Sequence, residues 1–178
     1  MDRHTEFYKA IKDIIPESPF TLIDYCCGDG ALGALFDNHP LVQEIQFIDI
    51  RRVRVFKRKT SALNKPFHLV LEGLETHSLP ANSLVVAVHA CGVLTDRVIE
   101  KAVLTRNPFA VMPCCYRNRM SSLKPSSNHS LPVSYSRKDY YDALRMEYAK
   151  ERGYRTEMRA IDRRITPMNQ VIIGAPLD

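Results

Sequence analysis

Seven short apolar runs, and the lengths of chain between them, constrain this sequence more than any other feature. They lie at residues 21–25, 44–49, 68–72, 84–89, 109–113, 154–161 and 169–174. Each is of strand length, and those in the middle of the chain are almost continuously apolar, as strands buried on both faces are. Stretches of helical pattern separate the earlier runs, which is what parallel strands with crossover connections require. Only residues 162–168 join the last two. That is too short for a crossover helix, so this pair is expected to close as an antiparallel hairpin. The whole chain, 1–178, therefore reads as one α/β domain built on a single seven-stranded sheet.

No run approaches the ~20 apolar residues of a membrane span. Residues 1–12 alternate charged and apolar side chains where a secretion signal would carry an uninterrupted apolar core. The five cysteines fall as Cys26-Cys27, Cys91 and Cys114-Cys115, a spacing unsuited to the dispersed disulfides of a small secreted domain. Reduced thiols and a cytoplasmic protein are expected. The net charge is +5, and a pI of about 9.0 favours anionic partners, RNA among them.

A short amphipathic helix is expected before Pro16. Residues 117–136, rich in Ser, Pro and Asn, read as a loop or lid on the substrate side. Ser136 with Asp139 has capping-box form at the start of a helix. In that helix Tyr140, Leu144 and Tyr148 recur every four residues and are expected as a buried stripe.

The segment Asp24-Tyr25-Cys26-Cys27-Gly28-Asp29-Gly30 runs from the first strand straight into a glycine-bearing turn, and then through Gly33 into a helix. Gly28 and Gly30 let backbone pass close under a ligand and admit φ values that other residues avoid. A tight strand-to-helix bend would use such glycines too. What adds a ligand to the reading is Asp49, which ends the next strand 19 residues after Gly30. A carboxylate there can accept hydrogen bonds from both ribose hydroxyls of an adenosyl group. A dinucleotide is one candidate, but Asp24 before the glycines would repel a pyrophosphate and attract the cationic methionine end of S-adenosylmethionine. Glu72, ending the third run, is either a hydrogen-bond partner for adenine or a solvated loop acid.

On these residues the chain resembles the class I S-adenosylmethionine-dependent methyltransferases, over essentially its whole length in strand order. Their Asp-x-Gly-x-Gly-x-Gly turn is present with Cys26 in place of the first glycine. Two further motifs are His89-Ala90-Cys91-Gly92-Val93-Leu94-Thr95-Asp96 and Pro113-Cys114-Cys115-Tyr116. They resemble a subgroup of methyltransferase-like proteins similar to the tRNA 2′-O-ribose methyltransferases that act on the acceptor stem. The resemblance implies a Rossmann-like sheet of order 3-2-1-4-5-7-6 with the hairpin strand antiparallel. It also implies S-adenosylmethionine as cofactor, held by Asp24, Cys26, Gly28, Gly30, Asp49, Ile50, Glu72 and His89. In that order the first, fourth and fifth strands are neighbours whose C-terminal ends share one edge, so His89, Cys91, Cys114 and Cys115 would line one pocket.

His89 follows the fourth strand, where related enzymes place substrate-orienting residues. It would either take a proton from an attacking hydroxyl or nitrogen or fix the following loop by a hydrogen bond. Methyl transfer from a sulfonium needs mainly an in-line approach, so positioning can suffice. Thr95 and Asp96 are then structural, Thr95 as the cap of the next helix. Cys91, Cys114, Cys115, Tyr116, Arg117, Arg163 and Arg164 make up the expected substrate side. Zinc prefers Cys and His ligands, but no Cys-x-x-Cys pair occurs and adjacent cysteines chelate poorly. No bound metal is therefore expected, and the cysteines read as packing residues.

Arg117, Arg119 and Lys124 after the fifth strand, with Arg163 and Arg164 in the hairpin turn, would rim the pocket with cations suited to phosphate. The stretch Arg51-Arg52-Val53-Arg54-Val55-Phe56-Lys57-Arg58-Lys59 is denser still, either a solvated helix face or an extension of a nucleic-acid track. The function read from the sequence is thus methyl transfer, to RNA such as tRNA or rRNA. A small-molecule or protein methyltransferase, and a catalytically inactive cofactor-binding subunit, are the alternatives.

Overall fold

A computed structural model of the chain describes residues 2–88, 90–115, 121–123 and 136–177. Strands β1 (Phe20–Tyr25), β2 (Val42–Asp49), β3 (Phe67–Leu71), β4 (Ser83–Val88), β5 (Phe109–Met112), β6 (Tyr154–Ala160) and β7 (Gln170–Pro176) join one seven-stranded sheet in the order β3-β2-β1-β4-β5-β7-β6. The first five pair in parallel, and β7 runs antiparallel to both β5 and β6. The expected order and the closing hairpin are both found.

The helices are α1 (Arg3–Ala10), α2 (Ala31–Ala34), α3 (Phe56–Thr60), α4 (Val93–Leu104) and α5 (Arg137–Lys150), with a 3-10 turn over Lys12–Ile14. They cover the sheet on both sides. Phe7, Leu32, Phe36 and Phe56 pack against Leu22, Phe47, Leu84 and Val86 on one face. On the other, Val98, Ile99, Ala102, Tyr148 and Ala149 pack against Ile23, Val85, Ala87 and Val111. Successive strand residues thus feed opposite layers, which is why β4, buried at every position, is apolar without a break from Leu84 to Val88. Full burial of each large aliphatic side chain there contributes ~1.5–3 kcal/mol. Because β1 to β5 are parallel, the connections leaving their C-terminal ends gather along one edge of the sheet.

Two local expectations are corrected. α5 begins as its sequence suggests, with Ser136 Oγ accepting from the Asp139 N–H at 3.2 Å. Yet Tyr140 is 41% exposed and Leu144 only half-buried, so Tyr148 alone of the expected stripe is buried. The buried face is instead Asp142, Arg145, Tyr148 and Ala149. Arg145 is wholly enclosed, donating from Nε to Asp96 Oδ1 and from Nη1 to Asp142 Oδ1, each at 2.8 Å. A hydrophobic pattern does not register a helix face whose buried group is a paired ion.

Thr95, secondly, is not the cap of α4. Gly92, with φ +59, occupies that position, and Thr95 sits inside the helix with its hydroxyl donating to the Ala90 carbonyl. Of the expected lid only residues 121–123 and 136 are described, so Arg119, Lys124 and most of that segment lie outside the described residues. Among the described residues no helix is long and apolar enough to cross a membrane.

Candidate functional site

β1 delivers Tyr25 to the edge of the sheet, and the chain then turns through Cys26 (φ +56), Gly28 (φ +54) and Gly30 (φ +76). All three lie in the left-handed region. A Cβ built on Gly28 would meet no atom within 4 Å, so the backbone there faces open space. At Gly30 it would come within 3.0 Å of Phe56 and Thr60, so that glycine serves the packing of α3. Cys26 adopts a left-handed backbone without a glycine's freedom, at a cost of ~1–2 kcal/mol. Burial, with Asp49 and Asp24 nearby, pushes its thiol up to about 12, which keeps it protonated.

The turn forms one wall of a cavity of about 370 Å³. Cys26, Gly28, Asp49, Ile50, Glu72 and Cys91 all line it, with Leu74 and Leu94 as further apolar walls. Asp49 is fixed at its mouth: Oδ2 accepts from the Gly28 N–H at 3.0 Å and Oδ1 from the Arg51 N–H at 3.2 Å. Ile50 lines the cavity yet is 77% exposed, an apolar wall that a planar ring would remove from water. Asp49, Glu72 and Glu75 outnumber Arg51 along the lining, so the field inside suits a cationic ligand.

Asp24 and Gly30 do not line this cavity. Asp24 is buried beneath the turn, where Oδ2 accepts from the Gly33 N–H at 3.0 Å. Burial, reinforced by Asp29 and Asp49, raises its carboxyl to about 7. The expectation that Asp24 faces the cationic end of a cofactor is therefore corrected. A donor in the first turn of α2 holds the Asp24 carboxyl, and of the two aspartates it is Asp49 that lines the cavity. Gly33 is needed for another reason: a Cβ there would lie 2.4 Å from Phe47 of β2.

Of the cysteines expected to line one pocket after β4 and β5, Cys91 lines this cavity and Cys114 and Cys115 do not, though the connections bring the three sulfurs together. Cys91 Sγ lies 2.8 Å from Cys114 Sγ and 3.2 Å from Cys115 Sγ, and the last two are 3.5 Å apart. His89, Tyr116 and Arg117 lie outside the described residues. Arg163 and Arg164 are exposed in the turn between β6 and β7. Arg164 pairs with Asp162 at 2.6 Å and lines a second cavity, of about 880 Å³, with Arg3, Lys59 and Asp29. The hairpin turn thus borders a cleft on the far flank of the glycine turn and does not meet the cysteines there.

Two polar constellations escaped sequence reasoning. Beneath the cavity, Tyr25 Oη and His77 Nδ1 are 2.7 Å apart, and His77 Nε2 lies 3.2 Å from Gln46 Oε1. Desolvation lowers the His77 pKa, so the ring is neutral near pH 7. Nothing in the sequence links residues so far apart. The second joins Asp96 to Arg145 and, through Asp96 Oδ2, to the Ser122 N–H. The acid at the end of the His89–Asp96 motif was its one visible signal.

A glycine turn opening on an empty face, with an acid from the adjoining strand beside it at the C-terminal edge of a parallel sheet, defines an α/β protein built for a nucleotide-like cofactor. Residues 3–121 match the family described as a methyltransferase domain. That is more than half of the chain, and the chain belongs to this family. Membership implies S-adenosylmethionine as the methyl donor. The Glutathione S-transferase C-terminal domain-containing protein of Homo sapiens is 28% identical over 97 residues, which are 53% of this chain and 15% of that protein. The chain thus spans a minor part of the curated relatives it matches. An rRNA methylase from Streptococcus thermophilus superposes with a TM-score of 0.63 at 14% identity, covering 98% of this chain and 94% of that one. The small RNA methyltransferase HEN1 does so at 0.65 and 19% identity, over 98% of this chain and 25% of its own. At these identities the likeness is one of fold.

Proposed function

We propose that the cavity beside Gly28 binds S-adenosylmethionine and that the domain methylates RNA. The open face of Gly28 next to the Asp49 carboxylate carries the first half of this reading. Asp49 is the acceptor for the ribose hydroxyls, Ile50 and Leu74 flank the adenine, and Glu72 accepts from its amino group. When bound, the cofactor supplies an electrophilic sulfonium methyl. The chain's own task is to orient the two reactants and keep water away. Leu94 and Cys91 wall the side facing the acceptor, and His89 takes the proton released by the attacking hydroxyl or nitrogen. That role for His89 rests on its sequence position.

The second half is supported by unspent positive charge. Arg51, Arg52, Arg54, Lys57, Arg58 and Lys59 are all exposed, while Phe56 and Thr60 pin α3 to the core. Among the described residues no carboxylate forms an ion pair with this stretch, which begins on the lining of the cavity. Arg3 and Lys59 extend it into the adjoining cleft. Such charges are available to phosphates, whose binding releases counterions. Among RNA acceptors, the motif resemblance favours a ribose 2′-hydroxyl of tRNA.

The test is to incubate the protein with methyl-labelled S-adenosylmethionine and separated RNA, protein and metabolite fractions of a lysate. Label is expected in RNA, with an affinity that falls steeply as salt rises. Label confined to protein or small molecules would replace the RNA reading, and no label in any fraction would support a cofactor-binding subunit.

A further inference from the structure

We propose that Cys91, Cys114 and Cys115 form a binding site for a single thiophilic metal ion of the zinc class. The argument begins with register. β4 and β5 are parallel neighbours with Val88 opposite Met112, and the cysteines follow these strands by two or three residues. Neighbouring connections therefore emerge side by side, and sulfurs distant in sequence meet. Adjacent cysteines on one backbone make a poor chelate alone. Here the third donor comes from the next strand and completes a triangular face with sides of 2.8, 3.2 and 3.5 Å.

Three bonds of ~2.3 Å in tetrahedral arrangement would set the sulfurs ~3.8 Å apart, so each pair needs to open by about 1 Å or less. The site lies where such adjustment is easy, since Cys91 and Cys115 are exposed and Cys114 is half-buried. Exposure also argues against a packing role. Cysteines that only fill space are among the most buried of residues, as Cys27 is. A disulfide would use two of the sulfurs, bring them to ~2.05 Å, and leave the third without a purpose.

Binding replaces three S–H bonds by three sulfur–metal bonds, and the protons pass to solvent. The resulting negative charge sits beside the N-terminal end of α4, which starts two residues after Cys91. Cys91 also lines the proposed cofactor cavity. A metal held by this trio would clamp the ends of β4 and β5 to each other at the wall facing the acceptor, leaving its remaining coordination position for water.

The probe is cadmium, titrated into the reduced full chain under argon while the thiolate-to-cadmium charge-transfer band is recorded, with zinc as competitor. The expected result is saturation at one equivalent and displacement by zinc. The band should be lost, or binding weakened by more than about tenfold, in Cys115→Ser and in Cys91→Ser. It should survive in Cys27→Ala, which leaves the trio intact. Both serine changes fall at exposed positions, and circular dichroism checks that each variant is folded. No saturable band, or a band indifferent to Cys115→Ser and Cys91→Ser in folded protein, would overturn the proposal. So would mass spectrometry showing a Cys91–Cys114 disulfide in place of bound metal after purification in air.

Discussion

The carboxylate of Asp49 accepts a hydrogen bond from the backbone N–H of Gly28 at 3.0 Å, tying the end of β2 to the turn that leaves β1. One side chain thereby shapes the turn and presents an acceptor to the cavity. Asp49→Ala removes both contributions. A hydrogen bond to a charged acceptor is worth ~1.5–3 kcal/mol, so loss of even one to the ribose should lower affinity for S-adenosylmethionine by about tenfold or more. Equilibrium dialysis with labelled cofactor measures this, and an unchanged affinity would count against the ribose role.

Gly28 and Gly33 lie five residues apart in the same segment, and their alanine variants should fail in opposite ways. At Gly28 a methyl enters open space, so Gly28→Ala costs only the left-handed backbone penalty of ~1–2 kcal/mol while obstructing the ligand. At Gly33 the methyl would lie 2.4 Å from the Phe47 ring, and overpacking of this kind costs ~1–3 kcal/mol or more. Thermal melts paired with cofactor titrations separate the two. Gly28→Ala is expected to lose binding out of proportion to stability, and Gly33→Ala to lose stability first.

Arg145 joins α5 to α4 through Asp96, with no solvent exposure on either side chain. Arg145→Ala removes the shared guanidinium from two buried acids, and removal of one partner from such a pair costs ~3–5 kcal/mol. Chemical denaturation reads this loss. Asp96→Ala combined with Arg145→Ala should cost less than the sum of the single changes, because the second removes a partner already deprived of its charge. Additive losses would show that the two groups do not act as a unit.

Asp24 carries a pH signature. Its carboxyl is raised to about 7 in the fold by burial, well above the value of an unfolded chain. The folded state therefore holds its proton more tightly, and the stability this contributes is complete below about pH 4 and is lost as the pH climbs to about 7. Asp24→Asn keeps an acceptor for the Gly33 N–H and cannot ionise. Relative to the wild type it should become progressively more stable between pH 4 and 7. Parallel stability curves for the two proteins would refute a raised carboxyl at this position.

Much of the fold was legible because its central strands are apolar on both faces and because residues 162–168 leave no room for a crossover. Asp49 was legible too, since a strand end at a fixed distance past a glycine turn has few places to go. Asp24 was not, because spacing places a residue at an edge without saying which donor its side chain will find, and the N–H of Gly33 lies closer than the cavity. Cys26 shows the converse. The motif flagged a missing glycine, and the structure keeps the glycine's backbone, at φ +56, under a cysteine. Arg145 in α5 pairs with Asp96 of another helix, a partner that the apolar pattern along α5 does not point to. That Cys91, Cys114 and Cys115 meet was legible from the strand order, but the sulfur–sulfur distances of 2.8–3.5 Å needed the register of β4 with β5, which no spacing along the chain encodes.

The most direct measurement follows backbone amide signals by nuclear magnetic resonance while S-adenosylhomocysteine is titrated into the protein. Saturable shifts are expected at Gly28, Asp49, Ile50 and Leu74, which surround the proposed cofactor cavity. Residues such as Asn82, Arg106 and Arg155, around a separate cleft, should stay still. No saturable shifts, or shifts confined to that second cleft, would contradict the cofactor site placed beside Gly28.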